Sequence, residues 1–331
     1  MTRLIKTFTL FSLFVSLLHG GEYADAFLLA SQSAQVQAMA YSTVAKQIGT
    51  GHALNNPAGF ALNRSNPMVS LVYQQFTGVS NNLGIEVIYP ANETYVLGFT
   101  FVHSDVPDLF HRPNLSALTP IDRRDSVLTN SNAYDNPIEY REEGVILSLA
   151  REFNFEINLG WKFFKIPCRM PMGLSVKYID KLLVDNHGLG SGFDLGSQII
   201  MDLSGITRRL EHTEFALGLV VSDILNTPVY WTTEHQDAIK RGLVWGYALK
   251  QNFDKYSSQL ILTTSTQTRY ENVKQYGIEI RFKELIYLRG GHDGYAPSFG
   301  LGIGLKKFII DYSFSQPELA NMQKIGISYH F

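Results

Sequence analysis

The chain has 331 residues, of which 45% are hydrophobic and 18% charged, with a formal net charge of −2. Charged residues are scarcer than the roughly 25% of an ordinary soluble domain. This composition excludes intrinsic disorder, a disulfide-framed mini-protein, since Cys168 is the single cysteine, and a nucleic-acid binder, which needs a basic run or face. Aromatic residues are plentiful instead, with 21 Phe, 17 Tyr and 3 Trp.

The first apolar run is N-terminal. Arg3 and Lys6 precede residues 8–18, which are apolar but for Thr9, Ser12 and Ser16. At about eleven residues the run is too short to span a bilayer, and Gly20-Gly21 follow it. The pattern predicts a secretory signal peptide over residues 1–20. No later stretch has the length of a transmembrane helix. Residues 21–67 form a second segment. Its part from 27 to 46 is rich in small residues and predicts one short helix, and Asn55-Asn56-Pro57-Ala58-Gly59 predicts a turn, because Pro presets φ and Gly admits positive φ. The segment is too apolar for a free tail. The expected resting place is the lumen of the domain that follows, as a plug or hatch with Met39, Tyr41, Asn55, Asn56, Pro57, Ala58 and Gly59 as its candidate residues. A periplasmic cap is the alternative.

From Met68 to the end, 68–331, the period is two. Phe215, Leu217, Leu219 and Val221 alternate with Glu214, Ala216, Gly218 and Val220, and Tyr276, Ile278, Ile280 and Phe282 with Gly277, Glu279 and Arg281. The same holds for Ile325, Ile327, Tyr329 and Phe331 against Lys324, Gly326, Ser328 and His330. Such segments have one apolar face and one polar or small face. A soluble sandwich would hide the apolar faces in a core; a transmembrane barrel turns them to lipid. The Gly- and charge-rich second face, the aromatics at strand ends and the terminal Tyr329-His330-Phe331 favour the barrel. The count is about fifteen strands. Residues 153–164 continue the phase of Val145, Leu147 and Leu149, and merging them gives about fourteen, an even number as single-chain bacterial barrels require. Long connections (103–140, 224–239) fall at one end and tight turns (90–93, 252–256, 283–284, 305–307) at the other. The expected fold is therefore all-β: an antiparallel transmembrane barrel of about 14 strands with an N-terminal plug.

Several motifs carry a family resemblance. They are Phe27-Leu28-Leu29, Ala38-Met39-Ala40-Tyr41-Ser42-Thr43-Val44-Ala45, Asn56-Pro57-Ala58-Gly59-Phe60-Ala61, Gly173-Leu174-Ser175-Val176-Lys177-Tyr178, Asp194-Leu195-Gly196, Leu288-Arg289-Gly290-Gly291 and Ile310-Asp311-Tyr312-Ser313-Phe314. In this order the chain resembles the FadL-like outer-membrane barrels of the PorV/PorQ and UPF0164 group. It departs from that group in lacking an Arg shortly before Met39 and in having Ala40 where Gly is usual. The resemblance implies a fourteen-stranded barrel with an N-terminal hatch. In the fatty-acid transporter branch it implies passage of hydrophobic molecules by the lumen and a side opening. In the PorV branch it implies handling of exported proteins for type IX secretion.

No catalytic motif is present. Gly188-Leu189-Gly190-Ser191-Gly192 has neither phosphate-loop nor nucleophile-elbow spacing, and the nine His are scattered, His103 and His111 sharing a loop without ligand spacing. No cofactor, metal or enzymatic activity is expected. If the apolar face meets lipid, Glu86, Lys177, Asp194, Glu214, Glu279, Arg281 and Asp311 point into the lumen, since an outward Arg or Lys at the midplane costs about 2–4 kcal/mol. Pairs of opposite sign there would bond the wall to the hatch. The expectation is a bacterial outer-membrane barrel for passage or capture of hydrophobic or amphipathic small molecules. Its expected partners are membrane lipid and, through the last strand with Tyr329 and Phe331, the barrel-assembly machinery. The alternatives are a protein-binding platform for secretion or surface attachment and a soluble, secreted β-rich binder.

Overall fold

The computed structural model describes residues 24–30, 32–46, 49–107, 109–110, 116–129, 137–160, 165–206, 210, 212–269 and 271–331. The signal-peptide expectation over residues 1–20 lies outside them. Sixteen strands form among these residues: β1 (Met68–Phe76), β2 (Ser80–Pro90), β3 (Tyr95–Asp105), β4 (Tyr140–Asn158), β5 (Lys165–Leu183), β6 (Asn186–Asp202), β7 (Thr213–Ser222), β8 (Thr227–Trp231), β9 (Gln236–Ile239), β10 (Gly242–Phe253), β11 (Ser258–Gln267), β12 (Val273–Phe282), β13 (Ile286–His292), β14 (Pro297–Leu305), β15 (Phe308–Ser315) and β16 (Met322–His330). Neighbours pair antiparallel. β16 pairs with β1, from Met68↔His330 to Phe76↔Met322, and β5 with β6, so the sheet closes. Fourteen strands make the barrel; β8 and β9 are a hairpin standing on β6 in the connection between β7 and β10. Closure removes the sheet edges that an open sheet would expose.

Side-chain direction follows from the alternation. Leu147 is 58% exposed and its neighbour Ser148 4%. Glu279 and Lys324 are fully covered, whereas Tyr276, Ile278, Ile325 and Ile327 are exposed. Buried charges beside exposed leucines invert the arrangement of a soluble protein. The apolar faces do not meet one another in a two-layer core, which removes the soluble sandwich. They form an outer band instead, with exposed Tyr89, Tyr95, Phe253, Tyr256, Phe282, Phe308 and Phe331 toward the end where the chain terminates. There Tyr329 packs between Phe308 (ring centroids 4.8 Å apart) and Phe331 (5.0 Å). The Phe331 N–H donates to Pro67 O at 3.1 Å, seating the last residue at the foot of β1.

Apart from β4 and β5 (19 residues each) and β6 (17), the barrel strands run from 7 to 12 residues, close to the ~9–11 that a tilted strand needs to cross hydrocarbon. The segment from Phe153 to Asn158 extends β4, pairing with β5 down to Asn158↔Lys165. The tight turns expected from the sequence sit at the terminal-residue end, but β1–β2 and β5–β6 turn as tightly at the other end, over three and two residues, so tight turns are not confined to one side. Lys283 and Glu284 both have positive φ (51° and 52°), the mirror-image turn that suits the twist of a hairpin. At the other end the long connection after β3 carries a surface helix, Pro120–Thr129.

The plug differs from the single short helix expected over 27–46. Two five-residue helices form, α1 (Ala26–Ala30) and α2 (Ala34–Ala38), followed by α3 (His52–Asn55) and a 3-10 turn, Pro57–Asn63. Ser33 starts α2 afresh by accepting a hydrogen bond from Val36 N, and Ala40 and Tyr41, both at positive φ (50° and 61°), end it. Isolated helices this short have no stability of their own; the lumen walls hold them.

Candidate functional site

The hatch residues occupy the lumen. Met39, Asn56, Pro57, Ala58 and Gly59 are buried, and Tyr41 and Asn55 partly so. Asn56 caps the 3-10 turn, its Oδ1 accepting from Ala58 N (3.0 Å), while its Nδ2 donates to Val44 O (2.8 Å) and to Ser197 O on β6 (3.3 Å). Asn55 and Thr43 exchange hydrogen bonds through Thr43 Oγ1 (2.9 Å) and Asn55 Nδ2 (3.2 Å). Inward-facing glycine lets the main chain sit against the wall. A β-carbon at Gly173 on β5 would lie 2.3 Å from the Pro57 carbonyl, so Gly173→Leu is expected to unseat the hatch turn. The measurement is protease cleavage within residues 24–66 of the folded barrel, which should accelerate severalfold while the gel mobility of the unboiled barrel stays compact.

Three groups hold most of the inward charges. In the first, Glu279 is the centre: Lys46 of the plug lies 3.0 Å from its Oε2, Arg289 Nε donates to the same oxygen (2.5 Å) and Arg281 Nε to Oε1 (2.5 Å). Arg289 also donates to Asp311 Oδ1 (2.6 Å), and the plug's Gln35 Nε2 donates to Asp311 Oδ2 (2.8 Å). Burial pulls the Lys46 ammonium down to about 8, against Glu279, which raises it. In the second group Lys177 Nζ meets Asp194 (2.9 Å) and Asp223 (2.7 Å), and Arg269 bridges Asp223 to the plug's Asp25. The third is Glu86 on β2. It accepts from Gly51 N (2.8 Å) and Ala53 N (3.3 Å) and faces His52 Nδ1 (2.9 Å). Asn63 Nδ2 holds the other ring nitrogen of His52 at 2.9 Å.

Glu279, Arg281 and Asp311 are thus brought together, as are Lys177 and Asp194. Glu86 stands apart on β2, facing the hatch, and Glu214 lies half-buried at the rim near Lys250 (3.3 Å) and Arg169 (3.7 Å). Sequence reasoning missed Arg289, Glu142, Lys181 and Lys324, whose inward direction the strand alternation carries. It also missed Lys46, His52 and Asp25, which lie in a segment with no period to read. Lys181 donates to Glu142 (2.6 Å) and to the Ala24 carbonyl (2.6 Å). Among the described residues no cluster of metal-ligating side chains forms.

Above the plug, toward the end with the long connections, lies a cavity of about 450 Å³. Phe27, Leu28, Leu29, Leu54, Phe76 and Met322 supply much of its apolar surface. Tyr41 lines its floor, where burial and, next, Asp293 raise the phenol above its ordinary range. The charged side chains on its wall, Lys177, Asp194, Arg269, Asp25 and Glu142, are all engaged in the pairs described above.

Fold and site together define a plugged, membrane-spanning β-barrel with an apolar vestibule. No protein-family model and no curated protein matches the chain. Among solved structures it is similar to the toluene transporter TodX of Pseudomonas putida (10% identity, 91% of this chain and 98% of that one, TM-score 0.47) and to the toluene transporter TbuX of Ralstonia pickettii (10%, 91% and 98%, 0.45). A third is the monoaromatic hydrocarbon channel CymD (11%, 92% and 97%, 0.45). Similarity at this level is one of barrel architecture, and the substrates of those proteins do not transfer with it.

Proposed function

We propose that the protein is a channel of the bacterial outer membrane that captures hydrophobic or amphipathic small molecules and passes them through the barrel. The observation that supports this reading is the apolar vestibule over a closed plug. Burial of apolar surface stabilises a bound molecule by roughly 25 cal/mol per Å², and wall charges already paired with one another offer it little competition for water. Membrane lipid surrounds the apolar band, and the last strand with Tyr329 and Phe331 is the segment offered to the barrel-assembly machinery.

The test is uptake by cells of a strain with a low-permeability outer membrane. Expression should raise uptake of toluene, dodecanol and dodecanoate and leave glucose uptake unchanged. Deleting residues 27–60 should add an unselective leak that admits glucose. Equal uptake of all four compounds with and without the protein would remove the channel reading.

One feature favours a second reading, a protein-binding platform. The β4–β5 hairpin continues past Arg151, where pairing with β3 ends, and presents exposed Phe153 and Phe155. That reading expects co-purification with a large secretion component, lost in Phe153→Ser/Phe155→Ser, and no small-molecule uptake.

A further inference from the structure

The seal between plug and wall is uneven around the barrel. Over most of the circumference the plug lies directly on glycine. A β-carbon at Gly196 (β6) would stand 2.1 Å from Asn56 Oδ1, at Gly218 (β7) 2.4 Å from Val44 O, and at Gly300 (β14) 2.4 Å from Ala38 Cβ. Contacts that close leave no passage, and the ion pair of Glu279 with Lys46 reinforces them.

One sector is different. On β16 a β-carbon at Gly326 would lie 3.7 Å from Ala34 Cβ, an ordinary contact distance. Just above it runs a row of buried, inward, register-matched residues on β15, β16, β1 and β2: Ser313↔Lys324, Lys324↔Gln74 and Gln74↔Asn82. Among the described residues, Ser313 Oγ, both amide atoms of Gln74 and Asn82 Oδ1 have no hydrogen-bond partner. The bond from this row to the plug is Lys324 Nζ to Gln32 O, 2.8 Å. The plug is held on either side of this stretch, on β15 and β16 by Gln35 to Asp311 (2.8 Å) and Gln37 to Ser315 Oγ (3.1 Å) and Met322 O (3.2 Å), and on β2 by Glu86; between them Gln74 makes no bond to the plug among the described residues, so parting there breaks none. Below the row lies a second cavity, of about 30 Å³, between the plug at Ser33 and Ala34 and the wall at Ser70 and Ser328. Leu54 lines both this cavity and the vestibule, and it packs against two separate apolar clusters.

We infer that molecules move between the plug and the β15–β16–β1–β2 wall, with Leu54 as the gate between the vestibule and the inner cavity. The inference rests on the channel reading above. Withdrawal of the Leu54 side chain and a small shift of Ala34 away from Gly326 join the two cavities. The amides and hydroxyls of the row then offer hydrogen bonds to a polar head group as it passes, while the acyl or ring portion follows along Leu54. The hatch turn at Asn56 and Pro57, clamped on β5 and β6, stays in place.

A disulfide tests the route. Its Cβ atoms should lie about 3.5–4.5 Å apart, which the Ala34 and Gly326 positions satisfy. In a Cys168→Ser background, the oxidised Ala34→Cys/Gly326→Cys protein is expected to lose dodecanol and dodecanoate uptake by about tenfold, with recovery on reduction. Leu54→Ala should raise uptake severalfold and Leu54→Trp lower it. Uptake that is unchanged by a disulfide shown to have formed, or by both Leu54 variants, would overturn the route and leave the channel reading standing. A wild-type protein that takes up none of the compounds would bring down both.

Discussion

Glu279→Ala is expected to be the most destabilising single change in the lumen, at about 3–5 kcal/mol, the cost of stripping one partner from a buried ion pair. The carboxylate is fully buried and stands within hydrogen-bonding distance of Lys46, Arg281 and Arg289. Without it, three cations remain around a site where Asp311 alone carries negative charge, and two of them, Lys46 and Arg289, are as buried as the lost carboxylate. A loss of that size is a large share of a typical folding stability of about 5–15 kcal/mol. It should appear as a fall in the temperature at which the compact, unboiled barrel band disappears from gels. Glu279→Gln should recover part of the loss by keeping one acceptor. Lys46→Met in the Glu279→Ala background should recover a further part by removing one unpaired charge. The shortfall from additivity measures the coupling.

Glu86→Ala is expected to act on the plug and spare the barrel. Its carboxylate holds Gly51 N, Ala53 N and His52 together. Hydrogen bonds to a charged acceptor contribute about 1.5–3 kcal/mol each, and removing the acceptor leaves two main-chain donors and a ring nitrogen buried without it. A local loss of about 3–5 kcal/mol follows, enough to free α3 and the Leu54 side chain that it carries. Glucose leak and cleavage of residues 24–66 should rise, while the heat-dependent mobility of the barrel changes little. If the barrel itself melts earlier, Glu86 supports the wall, and the plug depends on other contacts. The contrast with Glu279→Ala separates the two roles, because Glu279 ties β12 to β13 through Arg289 as well as to the plug.

The barrel was legible in the amino-acid sequence because its rule is local. Alternation assigns each side chain of a strand to lipid or lumen by parity alone, so the inward course of Glu86, Lys177, Asp194, Glu279 and Asp311 and the outward course of Ile278 and Leu147 follow from their neighbours. Merging residues 153–164 into the preceding strand followed from the same parity; the strand runs on to Asn158, and residues 161–164 lie outside the described residues. The hairpin of β8 and β9 was not legible, since it is held by three pairs with β6, Gly188↔Trp231 to Gly190↔Val229, and by no period of its own.

The plug obeys no such rule. Its content of small residues marks it as a segment to be buried, and Asn56-Pro57 marks a turn, but helices of four and five residues exist only where walls supply their contacts. Only the closed structure brings Lys46 to Glu279, 233 positions apart, Gln35 to Asp311, 276 apart, and His52 to Glu86. The sequence by itself determined which face of each strand meets lipid. The tertiary structure decided which inward charges pair, where the plug is clamped and where its seal is thin, because those depend on register and on close approach across the lumen, which no local pattern encodes.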